Sequence, residues 1–215
     1  MTVLNDLCQS VIDGDKHLAL KLVQQAIDEK VPAEQILKDG LIRAMAEVGR
    51  KFECGEYFIP EMLIAARAMQ NGLSLLRPYL VTANVQAIGK VVIGTVQGDL
   101  HDIGKNLVAM MLEGAGFEVI DLGVDASPEK YVQAVREHHP DLVACSALLT
   151  TTMPRMKDII EALKENGLRD QVKVMIGGAP VTEAFAHQIG ADACAMDAAS
   201  ASSRARELVL ELKKK

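Results

Sequence analysis

Asp99 and His101 stand two residues apart in the run Gly98-Asp99-Leu100-His101-Asp102-Ile103-Gly104. In an extended loop, side chains at i and i+2 point the same way. The carboxylate can then accept the imidazole Nδ1–H, which fixes the tautomer and leaves the Nε2 lone pair free for a metal. A loop closed by an Asp–His hydrogen bond alone fits the same two residues. Other chemistries fit less well. The glycines at 94, 98 and 104 do not match the G-x-G-x-x-G spacing of a dinucleotide loop. Five residues separate Gly98 from Gly104-Lys105 where a phosphate loop has four, and Asn106 replaces its hydroxyl residue. Asp99 and Asp102 would also repel a phosphate. A structural zinc site needs four closely spaced ligands, whereas the four cysteines and the other four histidines are scattered. On the metal reading, a single oriented imidazole suggests a metal whose other positions are filled by a non-protein group, as a macrocycle fills them.

The elements around the run set its position. Val91–Val96 reads as a buried parallel strand and Lys105–Leu112 as a helix. The run between them is a strand-to-helix loop at the carboxyl end of a sheet, where open α/β folds bind ligands. Up to about residue 85 the pattern is helical, with helices expected at 2–12, 15–29, 33–53 and 60–80. Short connections suggest an antiparallel four-helix bundle over 1–86. From residue 87 to 215 strands alternate with helices, the strands expected at 90–96, 117–122, 141–146, 172–177 and 192–196. Such alternation implies a five-stranded parallel, doubly wound, flavodoxin- or Rossmann-like domain in the order 2-1-3-4-5. The fold class is thus α followed by α/β, with the ligand crevice between the first and third strands.

Composition narrows the function. With 49% hydrophobic residues a core is affordable, and a net charge of −6 argues against a nucleic-acid partner. No apolar run approaches the length of a membrane span. The start of the chain has an acid and no basic region, so it does not read as a signal peptide. Four unpatterned cysteines fit a reducing, cytoplasmic setting. Lys213-Lys214-Lys215 reads as a solvated tail.

Two later motifs extend the pattern: Ser146-x-Leu148 begins 41 residues after Gly104, and Gly177-Gly178 follows after 28 more. Together with Asp99-x-His101-x-x-Gly104 they resemble the signature of cobalamin-binding domains. Val48-Gly49-x-x-Phe52 and Phe58-Ile59-Pro60-Glu61 are similar to the helical cap of methionine synthase and of small corrinoid methyl carriers. The resemblance implies cobalamin or a related corrinoid, with His101 as lower ligand to cobalt and Asp99 holding the proton the imidazole gains on release. It implies that Gly98, Leu100 and Ile103 bind the cofactor and that Gly104 lets the loop approach the corrin underside closely; Asp102 is a loop or helix-cap residue or a contact to the corrin amides. Ser146, Leu148 and Thr150 would meet the displaced benzimidazole tail, Gly177 and Gly178 would let it pass, and Asp197-Ala198 would close over it. Phe52 and Ile59 would shield the upper, methyl-bearing face; Tyr57 departs from the family pattern without an evident reason.

The implied function is a methyl carrier between a substrate:corrinoid methyltransferase and a second methyltransferase with tetrahydrofolate or a thiol as acceptor. The donor would be a methylamine, methanol, glycine betaine or an aryl methyl ether. A separate protein would reactivate oxidised cobalt. Two other classes share the binding domain: cobalamin light sensors, which add a DNA-binding module, and adenosylcobalamin mutases, which lack this cap and pair with a barrel. The acidic charge and a start within the bundle weigh against the first, and the cap against the second.

Overall fold

The computed structural model describes residues 2–214. They form two compact units, one running to Ala87 and taking in Glu113–Gly116, the other formed by Ile88–Leu112 and the chain from Phe117 onward.

The first unit is helical: α1 (Val3–Ile12), α2 (Lys16–Asp28), α3 (residues 33–53) and α4 (Ile59–Thr82). Asp15 caps α2 by accepting from the His17 and Leu18 amides at 3.1 and 2.9 Å, a contribution of about 1 kcal/mol. Leu7, Val11, Leu22, Val23, Leu41, Met45, Met62 and Met69 are buried together as the unit's core. The middle of α3, Ile36–Ile42, is a π-helix. Within it Gly40 lies against α1, where a Cβ would stand 2.6 Å from Leu7 Cδ2. The connection to α4 is pinned by Tyr57, whose hydroxyl donates to the Ile12 carbonyl at 3.2 Å. The Lys51 ammonium lies 4.9 Å from the Tyr57 ring centroid. These contacts give Tyr57 a structural role that its sequence position does not reveal. Pro60 falls in the first turn of α4, where a missing N–H is harmless.

The second unit is a five-stranded parallel sheet in the order β2-β1-β3-β4-β5. Its strands are β1 (Lys90–Thr95), β2 (Glu118–Asp121), β3 (Leu142–Ser146), β4 (Lys173–Gly177) and β5 (Ala193–Ala195). Five helices connect and follow them: α5 (Ile103–Gly114), α6 (Pro128–His138), α7 (Pro154–Glu165), α8 (Glu183–Ile189) and α9 (Ala198–Leu212). Val92, Val143 and Val174 on one face, and Val91, Leu142 and Met175 on the other, are all buried. Burial on both faces explains why the strands read as continuous apolar runs and not as alternations. Register aligns the ends of three strands, Thr95 with Ser146 and Ser146 with Gly177. Their following loops therefore leave side by side, with the order reversing between β1 and β3.

Lys213 departs from a solvated tail: its ammonium donates to the Ile88 carbonyl at 2.7 Å and lies 4.0 Å from the Asp141 carboxylate. Lys214 is exposed, and Lys215 lies outside the described residues. Among the described residues no helix is long and apolar enough to cross a membrane.

Candidate functional site

Strand β1 hands over to its loop through the Val96 amide, which donates to the Ser146 carbonyl at 3.0 Å. Gly98 then turns the chain at φ +81°, and the Asp99 amide closes back on the Val96 carbonyl at 3.1 Å. This turn sends the Asp99 side chain inward, where it is completely buried. Oδ1 accepts from the His101 ring Nδ1 at 2.7 Å and from the His101 amide at 3.1 Å. Oδ2 accepts from the Leu148 amide and the Thr152 hydroxyl, each at 2.8 Å, with the Leu149 amide at 3.4 Å.

Burial alone would push the Asp99 carboxyl up. The Leu148 amide, the His101 ring and amide, and the Thr152 hydroxyl together outweigh it and hold the group well below the usual carboxylate range. Asp99 is thus an ionised acceptor. Its Oδ1 takes the Nδ1–H of His101, so the Nε2 lone pair faces away from the carboxylate. The His101 side chain is 52% exposed, while its backbone is tied down by the buried Thr95, whose hydroxyl donates to the His101 carbonyl at 2.9 Å. A fixed ring with a free nitrogen can serve as a single, directional metal donor. Among the described residues no group of three or more His, Cys, Asp or Glu could hold a metal ion unaided.

The other residues singled out from sequence fall into distinct places. Asp102 stands just before α5, its carbonyl accepting from the Asn106 amide at 2.8 Å and its carboxylate from Asn106 Nδ2 at 3.0 Å. Ser146 ends β3, and Leu148 is partly exposed beyond it. Thr150 is exposed and does not reach Asp99; the hydroxyl that does belongs to Thr152. Gly178 has φ +134°, and a Cβ there would stand 1.9 Å from the Ala147 carbonyl oxygen. At Gly177 the corresponding atom would be 3.0 Å from the Ala195 oxygen. Asp197 caps α9 by accepting from the Ser200 amide at 2.7 Å, and Ala198 is buried in its first turn. In the helical unit Phe52 lies in the last turn of α3, while Phe58 and Ile59 at the start of α4 are exposed. Thr95, Leu149 and Thr152 are the site residues that sequence reasoning missed.

A test of fit with a corrinoid comes from the loop's own surface. At Gly104 an added Cβ would meet no atom of the described residues within 4 Å, so the glycine answers no internal packing need. Leu100 and Ile103 are 71% and 80% exposed, and Leu148, Leu149 and Met196 are also exposed at this end of the sheet. An open position near one imidazole, with exposed apolar side chains on the same loops, suits a large ring carrying a metal.

Comparison with known proteins decides the family. Models of the B12 binding domain match residues 89–206 and 3–77. The chain belongs to the B12-binding corrinoid proteins. Dimethylamine corrinoid protein 3 of Methanosarcina acetivorans is 44% identical over 97% of this chain and 97% of its own. A crystal structure of a cobalamin-binding protein from Desulfitobacterium hafniense is 36% identical, with a TM-score of 0.79, over 95% of this chain and 98% of that one. The methanol:cobalamin methyltransferase complex of Methanosarcina barkeri contains a chain 28% identical, with a TM-score of 0.86, covering 97% of this chain and 80% of that one. The cofactor of this corrinoid protein is cobalamin or a close relative, and helical part and parallel sheet match the family's two-part build.

Proposed function

We propose that this corrinoid protein carries a methyl group on cobalt from a substrate-specific methyltransferase to a second methyltransferase whose acceptor is tetrahydrofolate or a thiol. The observation that carries this reading is the His101 ring, fixed through Nδ1 by a buried ionised carboxylate and open at Nε2. When bound, the corrinoid supplies a metal centre able to take up and give up a methyl group; the protein tunes and positions it.

In this proposal His101 Nε2 would hold the metal of the corrinoid. Asp99 orients the ring and is positioned to hold the Nδ1 proton. Leu100, Ile103 and Gly104 give the underside of the ring an apolar seat, with Gly98 and Asp102 shaping the loop's two ends. Ser146, Leu148 and Thr150, with Gly177 and Gly178 and the Asp197-Ala198 cap, are assigned to the nucleotide tail. Phe52 and Ile59 are assigned to keeping water from the cofactor.

Relatives named for dimethylamine, and a solved relative in a methanol-dependent complex, favour a small methylated amine or methanol as donor. Reactivation of oxidised cobalt is assigned to a separate protein. The test is the visible spectrum after anaerobic incubation with hydroxocobalamin and gel filtration, beside His101→Ala. Stoichiometric corrinoid, with an axial-ligand band altered in the variant, is the expected result. Failure to retain corrinoid, or identical spectra, would overturn the assignment of His101. Methylation assays with each candidate amine and methanol, each with its own methyltransferase, then identify the donor.

A further inference from the structure

Strand β1 lies between β2 and β3, so the loop that leaves it can be held from either neighbour. The β3 side holds the Asp99 side chain, through Leu148 and Thr152. The β2 side, residues 121–125, makes a different set of contacts. Asp125 adopts φ +51°, an uncommon conformation for a residue with a side chain, though one that Asp and Asn tolerate best. In that conformation Oδ1 accepts the Gly98 amide at 2.7 Å, and the Asp125 amide donates to the Asp99 carbonyl at 3.1 Å. Four residues earlier, Asp121 accepts from the Gly123 amide at 2.8 Å and from the ammonium of Lys105.

Lys105 is 97% buried, a position open to a lysine only when it is paired. It also donates to Asn106 Oδ1 at 2.6 Å, and Asn106 holds the Asp102 carboxylate. The β2 connection therefore grips the loop at its start, on the Gly98 and Asp99 backbone, and at its end, through Lys105 and Asn106 to Asp102. His101 lies between the two grips. Two unfavourable features, a left-handed aspartate and a buried lysine, converge on this one loop.

We propose that Asp125 is a positioning residue that presets the His101 loop in the geometry from which Nε2 ligates the corrinoid metal. The proposal rests on His101 being the lower ligand. Asp125 touches neither the ring nor the metal; it acts through the Gly98 amide and the Asp99 carbonyl. A preset loop enters the ligating state without first being ordered, so its loss lowers the ligated fraction.

Two substitutions isolate the contact. Asp125→Gly removes the acceptor and leaves φ unstrained. Asp125→Asn keeps both the acceptor and the tolerance for φ +51°. The measurement is the His-on to His-off ratio of methylcobalamin-loaded protein, read from its visible spectrum, with wild type and His101→Ala as references. Asp125→Gly is expected to shift the ratio toward His-off by about fivefold, the effect of one ordinary hydrogen bond, and Asp125→Asn to match wild type. In cofactor-free protein the Gly98 amide should exchange with solvent faster in Asp125→Gly than in wild type, and not in Asp125→Asn. An unchanged ratio in Asp125→Gly, with wild type distinct from His101→Ala, would overturn the proposal. So would equal damage in both Asp125 variants, because charge and not acceptance would then be at work. Identical wild-type and His101→Ala spectra would instead remove the ligand reading on which the proposal rests, and the proposal with it, while the Gly98 exchange rates still show whether Asp125 holds the loop.

Discussion

Thr152 Oγ1 donates to Asp99 Oδ2 at 2.8 Å, joining the start of the β3–α7 connection's last turn to the loop that carries His101. The same oxygen lies 2.9 Å from the Leu149 carbonyl, but one hydroxyl has one hydrogen, and the ionised carboxylate is the stronger acceptor. Thr152→Val keeps the shape and removes that hydrogen. A buried carboxylate short of a donor costs about 1–3 kcal/mol, so urea unfolding of cofactor-free Thr152→Val should show a loss of that size. Thr152→Ser should recover most of it. Equal stability of the Val and wild-type proteins would mean that the Leu148 amide and the His101 contacts suffice.

Asp99→Asn preserves shape and an acceptor for Nδ1 but removes the charge. Corrinoid binding is expected to persist, with a shifted cobalt reduction midpoint and altered methyl-transfer rates. Spectroelectrochemistry of the loaded variant checks this. An unchanged midpoint would take Asp99 out of the tuning of the metal.

The two glycines at 104 and 178 should respond oppositely to alanine. At Gly178 the new Cβ would collide with the Ala147 carbonyl and sit at φ +134°, so a loss of about 2–4 kcal/mol is expected, with or without ligand. Gly104 lies in α5 with open space beside it, so alanine should leave the cofactor-free protein as stable or up to about 1 kcal/mol more stable. Corrinoid affinity should nevertheless fall in Gly104→Ala. Chemical unfolding paired with corrinoid titration separates the two effects, and undiminished affinity in Gly104→Ala would place the ring elsewhere.

The cysteines offer a pH-resolved check on the packing. Cys54 is exposed, whereas Cys8, Cys145 and Cys194 are buried. Burial pushes the Cys145 thiol up to about 12, and it raises Cys194 as well. A thiolate is the reacting form, so at pH 8 a disulfide reagent should label Cys54 rapidly in the folded protein. Cys145 should stay unlabelled even near pH 10, and all four should react in denaturant. Fast native labelling of Cys145 would show that the sheet opens at β3.

Much of this arrangement was legible before any coordinates. Strands β1, β2 and β4 are runs rich in Val and Ile, and β3 and β5 are shorter apolar runs, Leu142-Val143-Ala144-Cys145 and Ala193-Cys194-Ala195, each directly after an aspartate; parallel burial makes such runs stand out. The Asp99–His101 bond follows from a spacing of two in an extended loop, which is local geometry. Thr152 was hidden by its company: Thr150, Thr151 and Thr152 are chemically alike, and the turn ahead of α7 decides which hydroxyl points inward. Asp125 was hidden for a different reason, since nothing local marks an aspartate that will take a left-handed conformation. The π-helical stretch of α3 reads as plain helix in the sequence, because Ile36, Leu37, Gly40 and Leu41 can line a buried face in either winding. Tyr57 could be explained only once its partner, the carbonyl of Ile12, was known 45 residues away.

The reach of the Asp99 carboxylate has a kinetic side. Its donors on the β3 side lie 49 to 53 residues further along the chain, beyond α5, β2 and α6. Closing such distant contacts is slow and comes after local structure has formed. A nascent or partly unfolded chain can hold the Asp99–His101 pair near each other, but it cannot clamp the carboxylate until β3 has docked beside β1. Under the proposed ligation by His101, capture of the corrinoid is reserved for molecules whose sheet is already assembled, and the uptake of colour on refolding becomes a clock for the arrival of the third strand.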